Sequence, residues 1–296
     1  MADFTISIII PVFNRLEYTK KCLANLTGVI NNSDIPERII NLVVVDDGSR
    51  DGTSVWIKEH YPMVHLVFGN GSLWWSGGVN MGIKYAVEKL KTDYILWWNN
   101  DIVAAPDYFK ILLRIIQTSP ENLLIGSKIF RLNKEILFGI GGRFDEANGA
   151  YEMYGHNLPD STEFTQPIES DWFPGMGTTI HKSVFQKIGY VDEKNFPQYH
   201  GDSDFTLRAK KSGFQLTAFP ELKIYNDGDN RKEPKNLIHS LTQIGSLYNI
   251  RKDFLFFRRH TNSLRAYMAL IRKYIRYIGG YYKWKFLTLI GVKKDK

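Results

Sequence analysis

The stretch NLVVVDDGSRDGTSVWIKEHYPMVHLVFGNG, residues 41–71, decides the fold class. It opens on a run of valines with no polar alternation, which predicts a parallel strand buried on both faces. A short helical pattern follows at SVWIKEHY, and VHLVFGNG then predicts another strand. A strand, a helix and a strand in this order are typical of an α/β sheet.

The same alternation continues on both sides of this stretch. Before it, ISIIIPVFN predicts a strand and RLEYTKKCLANLTGVI a helix; after it, GGVNMGIKYAVEKLK predicts a helix and DYILWWNND a strand. Beyond about residue 107 the pattern loosens, with a helix at PDYFKILLRII and a strand at LLIGSKIF. We therefore predict a doubly wound α/β fold whose mixed, mostly parallel sheet is flanked by helices.

Composition limits the function classes. The 296 residues are 44% hydrophobic and 23% charged, as in ordinary globular proteins. Cys22 is the only cysteine, which excludes a disulfide framework and a cysteine metal cluster. The N-terminus MADFTISIII lacks the features of a signal peptide, and no apolar run is long enough to span a bilayer. We expect a cytoplasmic protein.

Charge is concentrated near the C-terminus. Residues 251–296 hold 13 Lys and Arg and 2 Asp, a net charge of +11, so residues 1–250 carry −4 of the total of +7. Basic and apolar residues interleave there, with Ile271, Tyr274, Ile275 and Ile278 predicted on one helical face and a break at Gly-Gly 279–280. This pattern favours an anionic membrane surface over nucleic acid. The alternative is a helix pair packed on the body with its charges outward.

Polar residues end all four predicted strands of the first hundred residues, in PVFN, DDGS, GNGS and NND. Ligand sites of open parallel sheets lie at this edge. Each group alone could be a turn, because Gly, Asn and Asp favour turns. Turn chemistry needs only one Asp, however, so the pair Asp46 and Asp47 predicts a carboxylate that accepts hydrogen bonds from a base or ribose.

The end of the fourth strand predicts a metal site. Asn99 and Asp101 have the i, i+2 spacing that points both side chains the same way on an extended chain. An amide oxygen and a carboxylate suit Mg²⁺ or Mn²⁺, with substrate phosphates completing the shell. The alternative is again a turn. The chain has no Walker A sequence, no GxGxxG after its first strand and no HExxH, so we expect phosphate binding to use a metal.

Tryptophans cluster near these strand ends, at Trp74, Trp75, Trp97 and Trp98. Aromatic residues are more often core than site. One of the four could be a platform for a sugar or base, and we expect Trp75 to be that one, with Trp172 as a rival on the acceptor side.

Six segments in order carry a resemblance to a known family: SIIIPVFNRLEYTKKCL, VVVDDGSRDGT, GNGSLWWSGGVNMGIKYA, YILWWNNDI, GMGTTIHKSVFQKIGYVDE and GDSDFTLRAKKSGF. Over about residues 5–225 the sequence resembles the family 2 nucleotide-sugar glycosyltransferases, which have the GT-A (Rossmann-like) fold. WWSGGVNMGI is most similar to transferases of bacterial polysaccharide and O-antigen assembly, including rhamnosyltransferases.

The resemblance implies a domain organisation. A GT-A domain would span residues 1–250, with a nucleotide-binding half at about 1–105 and an acceptor-side half at about 106–250. Residues 251–296 would form a basic amphipathic helical tail.

The resemblance also implies roles for residues. Nucleotide-sugar binding falls to a set at the strand ends and in the Gly-rich segment: Pro11, Phe13, Asn14, Asp46, Asp47, Trp75, Gly77, Gly78, Asn80, Asn99 and Asn100. Trp172, Gly175, Asp204 and Arg208 fall on the acceptor side, where we expect Asp204 and Arg208 to be a structural or positioning pair at i, i+4.

Three acidic residues receive the chemical roles. Asp101 matches the last Asp of the family's D-x-D motif and would be the main ligand of a divalent cation. Asp202 matches the catalytic base, although it could instead be a helix cap. The sequence departs from the family at Asn99 and Gly201, where acids are usual. Asp227 stands near the place of a metal-binding His and could replace it as a second, weaker metal ligand.

The implied function is an inverting transfer of a sugar from a UDP- or dTDP-linked donor to a hydroxyl of a growing, lipid-linked glycan of the O-antigen or capsule type. The implied cofactor is Mn²⁺ or Mg²⁺, and the implied location is the inner face of the cell membrane. The alternatives are a nucleotidyltransferase of related fold and a non-catalytic carbohydrate- or membrane-binding relative.

Overall fold

The computed structural model describes residues 4–33, 35–228 and 236–290. The chain divides into two compact units, of which the first comprises Met1–Arg143 and Glu152–Asn230 and the second Phe144–Tyr151 and Arg231–Lys296. The last segment of the second unit begins at Arg231 and not at the boundary predicted at residue 250. The reason is that a helix of residues 237–242 packs with the helices of the tail. The division into two halves at about residue 105 stays a prediction.

The N-terminal part of the first unit alternates strands and helices as the sequence predicts. Its elements are β1 (Ile6–Val12), α1 (Leu16–Asn31), β2 (Ile40–Asp46), α2 (Thr53–His60), β3 (His65–Phe68), α3 (Trp74–Glu88) and β4 (Tyr94–Trp97). β1 pairs in parallel with β2 and β4, and β2 pairs in parallel with β3. Val43, Val44 and Val45 of β2 are all completely buried, as the unbroken valine run requires.

The rest of the first unit completes a mixed sheet. Its elements are β5 (Ile102–Ala104), α4 (Tyr108–Thr118), β6 (Leu123–Arg131), β7 (Leu137–Gly139), β10 (Ile168–Glu169), β11 (Thr178–His181), α5 (Lys182–Ile188), α6 (Gly201–Lys211) and β12 (Gln215–Asn226). The strands β8 (Gly142–Asp145) and β9 (Ala150–Met153) pair in a separate two-stranded sheet, of which residues 144–151 belong to the second unit. β11 lies antiparallel between β4 and β6, while the long strands β6 and β12 pair in parallel. The sheet order is β10-β12-β6-β11-β4-β1-β2-β3.

The core forms one apolar layer on each face of this sheet. In β1, Ile8 and Ile10 belong to the layer that contains α1 and α4, whereas Ile9 belongs to the layer that contains α3 and α6. Successive residues of a strand point to opposite faces, so an unbroken run of isoleucines supplies both layers. The predicted fold class, a mostly parallel sheet flanked by helices, is confirmed.

The second unit contains α7 (Leu237–Thr242), α8 (Ile250–His260) and α9 (Leu264–Leu289). The predicted break at residues 279–280 is wrong, because α9 continues through both glycines. The predicted face is also wrong in part. Tyr274 is buried and donates a hydrogen bond to Asp253 Oδ2 (2.8 Å), whereas Ile271 and Ile275 are exposed. Tyr274 is therefore buried because its hydroxyl has a buried carboxylate partner, whereas the two isoleucines are exposed.

Within residues 4–33, 35–228 and 236–290, no helix combines the length and the apolar character needed to cross a membrane.

Candidate functional site

A cavity of about 370 Å³ lies at the carboxyl ends of β1, β2 and β4. Seven predicted residues line it: Pro11, Phe13, Asp47, Trp75, Asn99, Asn100 and Asp101. Five further lining residues had not been singled out as site residues: Val12, Arg15, Gly71, Ser72 and Gln198. Trp74 also lines the cavity, although Trp75 was expected to be the tryptophan of the site. The edge of the sheet predicted to bind a ligand is therefore concave, which is the shape that small-molecule sites need.

The two carboxylates of the acidic pair have different surroundings. Asp47 lines the cavity, and its oxygens accept hydrogen bonds from the backbone N–H groups of Gly71 (2.7 Å) and Leu73 (2.8 Å). Asp46 is buried outside the cavity lining and accepts hydrogen bonds from Ser49 N–H (2.8 Å) and the Ser54 hydroxyl. Only Asp47 thus reaches the cavity, where it also shapes the loop before α3.

Asn14 braces the site from outside its lining. Its N–H donates to Ser49 Oγ (2.7 Å), and its side-chain oxygen accepts from Arg50 N–H (2.9 Å). These bonds join the loop after β1 to the loop after β2. The backbone between two site-bearing strands is therefore fixed by Asn14, although the predicted contact with the nucleotide is untested.

The end of β4 differs from the extended chain that the spacing argument assumed. The strand ends at Trp97, and Asn99–Asp101 form a turn in which Asn99 O accepts from Ile102 N–H (3.3 Å). Asn99 and Asp101 nevertheless both line the cavity. The turn therefore brings them there, and the i, i+2 rule for strands does not apply.

The tryptophans divide into core and site. Trp97 and Trp98 are completely buried, on opposite sides of the sheet. Trp75 lines the cavity, where its indole Nε1–H donates to Asn99 Oδ1 (3.0 Å) and its backbone N–H donates to Gln198 Oε1 (3.3 Å). Trp75 is thus held in place from two sides. Its predicted contact with a sugar or base stays a prediction.

Gly77, Gly78 and Asn80 of the Gly-rich segment do not line the cavity. A Cβ on Gly78 would come within 3.0 Å of Pro11 Cβ in β1, and one on Gly77 within 3.1 Å of Leu73 Cβ. The Asn80 side chain is buried and bonds Val191 O (2.8 Å) and Val191 N (3.1 Å). These three residues lie inside α3 and contribute to its packing, and the expectation that they approach the donor stays a prediction.

Arg15 is a cavity residue that the sequence analysis missed. Its guanidinium Nη1 lies 3.2 Å from Asp101 Oδ2 and its Cζ lies 4.0 Å from the centroid of the Tyr18 ring. The backbone of Arg15 is left-handed, with φ 63°. This ion pair joins the end of β1 to the predicted metal ligand. A lone Arg after a strand gave no signal that could have revealed it.

Asp202 lies behind one wall of the cavity. Its Oδ2 accepts from Gly175 N–H (2.7 Å), and its Oδ1 accepts from Ser203 N–H (2.9 Å). Gly175 in turn packs under the Trp75 ring, since a Cβ there would lie 2.2 Å from Trp75 Cζ2. Asp202 is thus linked to the cavity through Gly175 and Trp75. The helix cap before α6 is His200, so Asp202 sits inside the first turn and is not its N-cap.

Burial has the largest effect on the pKa of Asp202. Surrounding protein atoms remove water from the carboxylate and raise its pKa, while the hydrogen bonds from Ser203 and Gly175 lower it by less. The residue retains part of its surface accessible to solvent. A carboxylate with a raised pKa and some exposure is suited to take a proton from a substrate hydroxyl.

The other residues predicted on the acceptor side make bonds within the protein or are buried. Arg208 Nε donates to Asp204 Oδ2 (3.0 Å), which confirms the i, i+4 pair, and its other nitrogens donate to Ile188 O and Tyr190 O (both 2.9 Å). Asp204 is completely buried, and Trp172 is 2% exposed. Neither Asp204 nor Trp172 lines the cavity. Their predicted contact with an acceptor is untested.

Strained backbone concentrates around the cavity. Positive φ angles outside glycine occur at eight described positions, five of which border the site: Asn14, Arg15, Trp74, Tyr199 and His200. Such conformations cost energy and persist where surrounding structure over-determines them, often at functional sites. Tyr199 and His200, the two such residues before Gly201, turn the chain from Gln198 at the cavity into α6, where Asp202 lies.

A protein-family model described as Glycosyl transferase family 2 matches residues 7–185. This chain belongs to that family.

Three relatives show what kinds of family 2 enzyme are similar to it. The low-salt glycan biosynthesis hexosyltransferase Agl10 of Haloferax volcanii is 26% identical over 213 residues, covering 71% of this chain and 63% of Agl10. The dTDP-rhamnosyl transferase RfbF of Shigella flexneri is 26% identical over 246 residues, covering 80% and 77%. The N-acetylglucosaminyl-diphospho-decaprenol L-rhamnosyltransferase of Mycobacterium tuberculosis is 23% identical over 209 residues, covering 64% and 66%.

Two solved structures share the fold. The crystal structure of GalNAc-T7 with UDP, GalNAc and Mn²⁺ superposes with a TM-score of 0.58 at 12% identity, covering 79% of this chain and 46% of that one. That of S. aureus TarS 1-349 in complex with UDP has a TM-score of 0.52 at 17% identity, covering 75% and 60%. This family 2 member thus has the GT-A fold, and it spans about half of the GalNAc-T7 chain.

GT-A glycosyltransferases usually use a divalent cation. Among the described residues, no cluster of three or more His, Cys, Asp or Glu could hold an ion alone. Asp101 offers a carboxylate at the cavity, and the Asp227 N–H donates to Asp101 O (2.8 Å) beside it. Mg²⁺ is usually held by one or two carboxylates, substrate phosphates and water. The residues therefore fit a cation that arrives with a diphosphate.

Proposed function

We propose that this family 2 member is an inverting glycosyltransferase that moves a sugar from a UDP- or dTDP-linked donor to a hydroxyl of a growing cell-surface glycan of the O-antigen or capsule type. The position of Asp202 carries the proposal. Its carboxylate accepts a hydrogen bond from Gly175 N–H, and Gly175 packs under the ring of Trp75. Trp75 lines the same cavity as Asp101. The names of the rhamnosyl and hexosyl transferases among its relatives support the reaction class.

The donor nucleotide would occupy the cavity between the ends of β1 and β4. Pro11 and Phe13 offer an apolar surface for the base, and Asp47 holds the loop before α3, which would lie beside the ribose. Each Asp47 oxygen has more than one acceptor site, so ribose hydroxyls can still donate to it. Trp75 would then lie beside the donor sugar, fixed by its bond to Asn99.

The diphosphate would lie between Arg15 and Asp101. Their ion pair is partly exposed, with 40% and 16% of the two side chains accessible, and such pairs contribute only about 0–1 kcal/mol. A diphosphate can therefore draw Arg15 away, because phosphate accepts two charge-assisted hydrogen bonds from a guanidinium. Asp101 is then the carboxylate left to hold a cation, with Asp227 as its weaker predicted companion. A bound Mn²⁺ or Mg²⁺ would offset negative charge on the leaving diphosphate.

Asp202 would act as the general base. The bond between the anomeric carbon and the diphosphate breaks, and its electron pair leaves with the nucleoside diphosphate. The acceptor oxygen forms the new bond from the opposite side of the sugar, which inverts the configuration. Its proton passes to the Asp202 carboxylate, whose raised pKa increases its basicity.

The acceptor is proposed to be lipid-linked, as the name of the mycobacterial relative states for that protein. The enzyme would then work at the inner face of the cell membrane, with residues 251–296 against anionic lipid and with no nucleic acid partner.

A donor screen tests the proposal. UDP-, dTDP- and GDP-sugars are added with Mn²⁺, thermal unfolding is followed, and the donor that stabilises the protein is tested for turnover. Ligand at about 100 times its Kd stabilises by about 2.7 kcal/mol, which shifts the Tm by several degrees. A nucleotidyltransferase would instead release pyrophosphate from a nucleoside triphosphate and a sugar phosphate. A non-catalytic relative would bind without turnover.

A further inference from the structure

Helix α9 carries two different apolar faces. Ala266, Leu270 and Tyr274 form the buried one, and Tyr274 bonds Asp253 of α8. A second set is exposed and recurs every three, four or seven residues: Leu264, Met268, Ile271, Ile275, Tyr282, Phe286 and Leu289. At about 100° per residue these seven fall into one stripe along the helix. We call this set the exposed stripe.

The exposed stripe is far more apolar than a solvated helix face requires. Ile271 is 59% exposed, Ile275 is 65% exposed and Leu289 is 84% exposed. Ile238 of α7 is 76% exposed and lines one groove together with Tyr282, so the apolar surface continues onto a second helix. Contiguous exposed apolar surface of this kind marks a site that meets a partner or a membrane.

A row of cations borders the exposed stripe. Arg265, Arg272, Arg276 and Lys283 are exposed and follow one another at intervals of seven, four and seven residues, which places them on a single face. No Asp or Glu occurs in Leu264–Leu289. Around the helix, the buried face is thus followed by the exposed stripe and then by the basic row.

We infer that the exposed stripe lies in the surface of an anionic bilayer, with the basic row against lipid headgroups. An apolar face bordered by Arg and Lys, with aromatic residues near one end, is the pattern of helices that lie in the membrane interface. A second copy of the chain fits less well, because two stripes brought together would place cations beside cations with no acid to pair them. This inference deepens the proposed function, since it gives an enzyme with a lipid-linked acceptor a means of reaching the bilayer.

Vesicle sedimentation of the full chain without donor tests the inference. The wild type is expected to bind vesicles of phosphatidylcholine with phosphatidylglycerol and to bind pure phosphatidylcholine at least about tenfold more weakly. Ile271→Glu with Ile275→Glu should weaken binding about tenfold or more, because two anchors are lost and two repelling charges are added. Arg272→Gln with Arg276→Gln should remove most of the preference for anionic vesicles.

The matched control is Val55→Glu with Met63→Glu. These side chains are 61% and 65% exposed and lie in the first unit. The control therefore changes charge and exposed apolar surface as the α9 variant does, but away from the exposed stripe. Vesicle binding of this control should equal that of the wild type. All variants should keep the wild-type Tm, since each altered side chain is exposed. Should the Glu variant fail to fold, the Gln variant decides.

Several results overturn the inference. Wild-type vesicle binding by the folded Glu variant does so, as does unchanged anionic preference in the Gln variant. Light scattering that shows a dimer lost in the Glu variant, with no vesicle binding by the wild type, would assign the stripe to a second copy. Binding of a nucleic acid duplex in place of vesicles would assign the basic row to that partner. Donor turnover in solution is measured separately, and its absence would refute the proposed function while leaving docking intact.

Discussion

At the scale of single residues, the site depends on two carboxylates in unlike surroundings. Asp202 is crowded by protein atoms that raise its pKa, whereas Asp101 lies at the cavity beside Arg15. Groups with such different surroundings can take different roles in one reaction at one pH. Asp202 suits proton transfer, and Asp101 suits a cation ligand because its carboxylate lines the cavity.

The pKa of Asp202 predicts the acid limb of the pH profile. Below its pKa the carboxyl is protonated and cannot accept a proton, so kcat should fall tenfold per pH unit on that side. Because burial raises the pKa, the midpoint should lie above the ordinary Asp value of about 3.9. Measuring kcat at saturating donor from about pH 4 to pH 8 checks this, and a flat profile down to about pH 4 would count against Asp202 as the base.

Asp101 predicts cation-dependent nucleotide binding. Mn²⁺ should lower the Kd of the nucleoside diphosphate in the wild type. Asp101→Ala should make this Mn²⁺-dependent decrease at least about tenfold smaller, because the cavity carboxylate is lost. Titration calorimetry with and without Mn²⁺ measures both values. Asp107→Ala is the control, since Asp107 is exposed and makes no side-chain cap bond at α4. Equal decreases in Asp101→Ala and wild type would exclude Asp101 as the ligand.

At the scale of elements, α3 explains why part of the site could not be read from the sequence. The glycines of SGGVNMG look the same whether they approach a ligand or allow a helix to approach a sheet. Gly82 is an example of the second case, because a Cβ there would lie 2.4 Å from Ile9 Cγ2. Such a distance depends on how α3 lies across β1 and β2, which no local pattern specifies.

Gly82→Ala tests this packing. The added methyl would press on the stiff side chains of Ile9 and Val45, at a cost of about 1–3 kcal/mol, against a gain in helix propensity of about 1 kcal/mol. A net loss of about 1 kcal/mol in the free energy of unfolding is expected in urea titrations. Gly28→Ala in α1 is the control and should gain up to about 1 kcal/mol, since no atom lies within 4 Å of its added Cβ. A Gly82→Ala protein as stable as the wild type would contradict the close packing.

Other elements show the reach and the limits of sequence patterns. The strands β1, β2 and β4 were predictable, because an apolar run that feeds both core layers has few other solutions. The face of α9 was predictable only in part. Periodicity placed Tyr274 with Ile271 and Ile275, but the carboxylate of Asp253 selects Tyr274 for the interior. Partners distant in sequence decide such choices.

At the scale of the whole molecule, the sequence predicted the fold and the family, and it predicted seven of the residues that line the cavity. It could not predict Arg15, whose left-handed backbone and partner Asp101 exist only once β1 and β4 are paired. It also could not separate Asp46 from Asp47, because adjacent residues of a strand end differ only in the neighbours that folding supplies. Chemistry-bearing residue types were therefore visible, while their partners were not.

In the proposed reaction, Asp202 removes the acceptor's proton next to a cavity that binds the donor. Asp202→Asn isolates this role. A raised pKa means that the charged carboxylate destabilises the fold above that pKa, and this offsets the hydrogen bond that Asn forfeits, so the Tm should change by a few degrees at most.

The most direct measurement is sugar transfer by Asp202→Asn and wild type, together with the Kd of the donor for both. We expect kcat to fall about 10²–10⁴-fold with the Kd unchanged within about threefold, because the donor cavity is intact and only the base is lost. A folded Asp202→Asn enzyme that transfers sugar at the wild-type rate would contradict this role of Asp202.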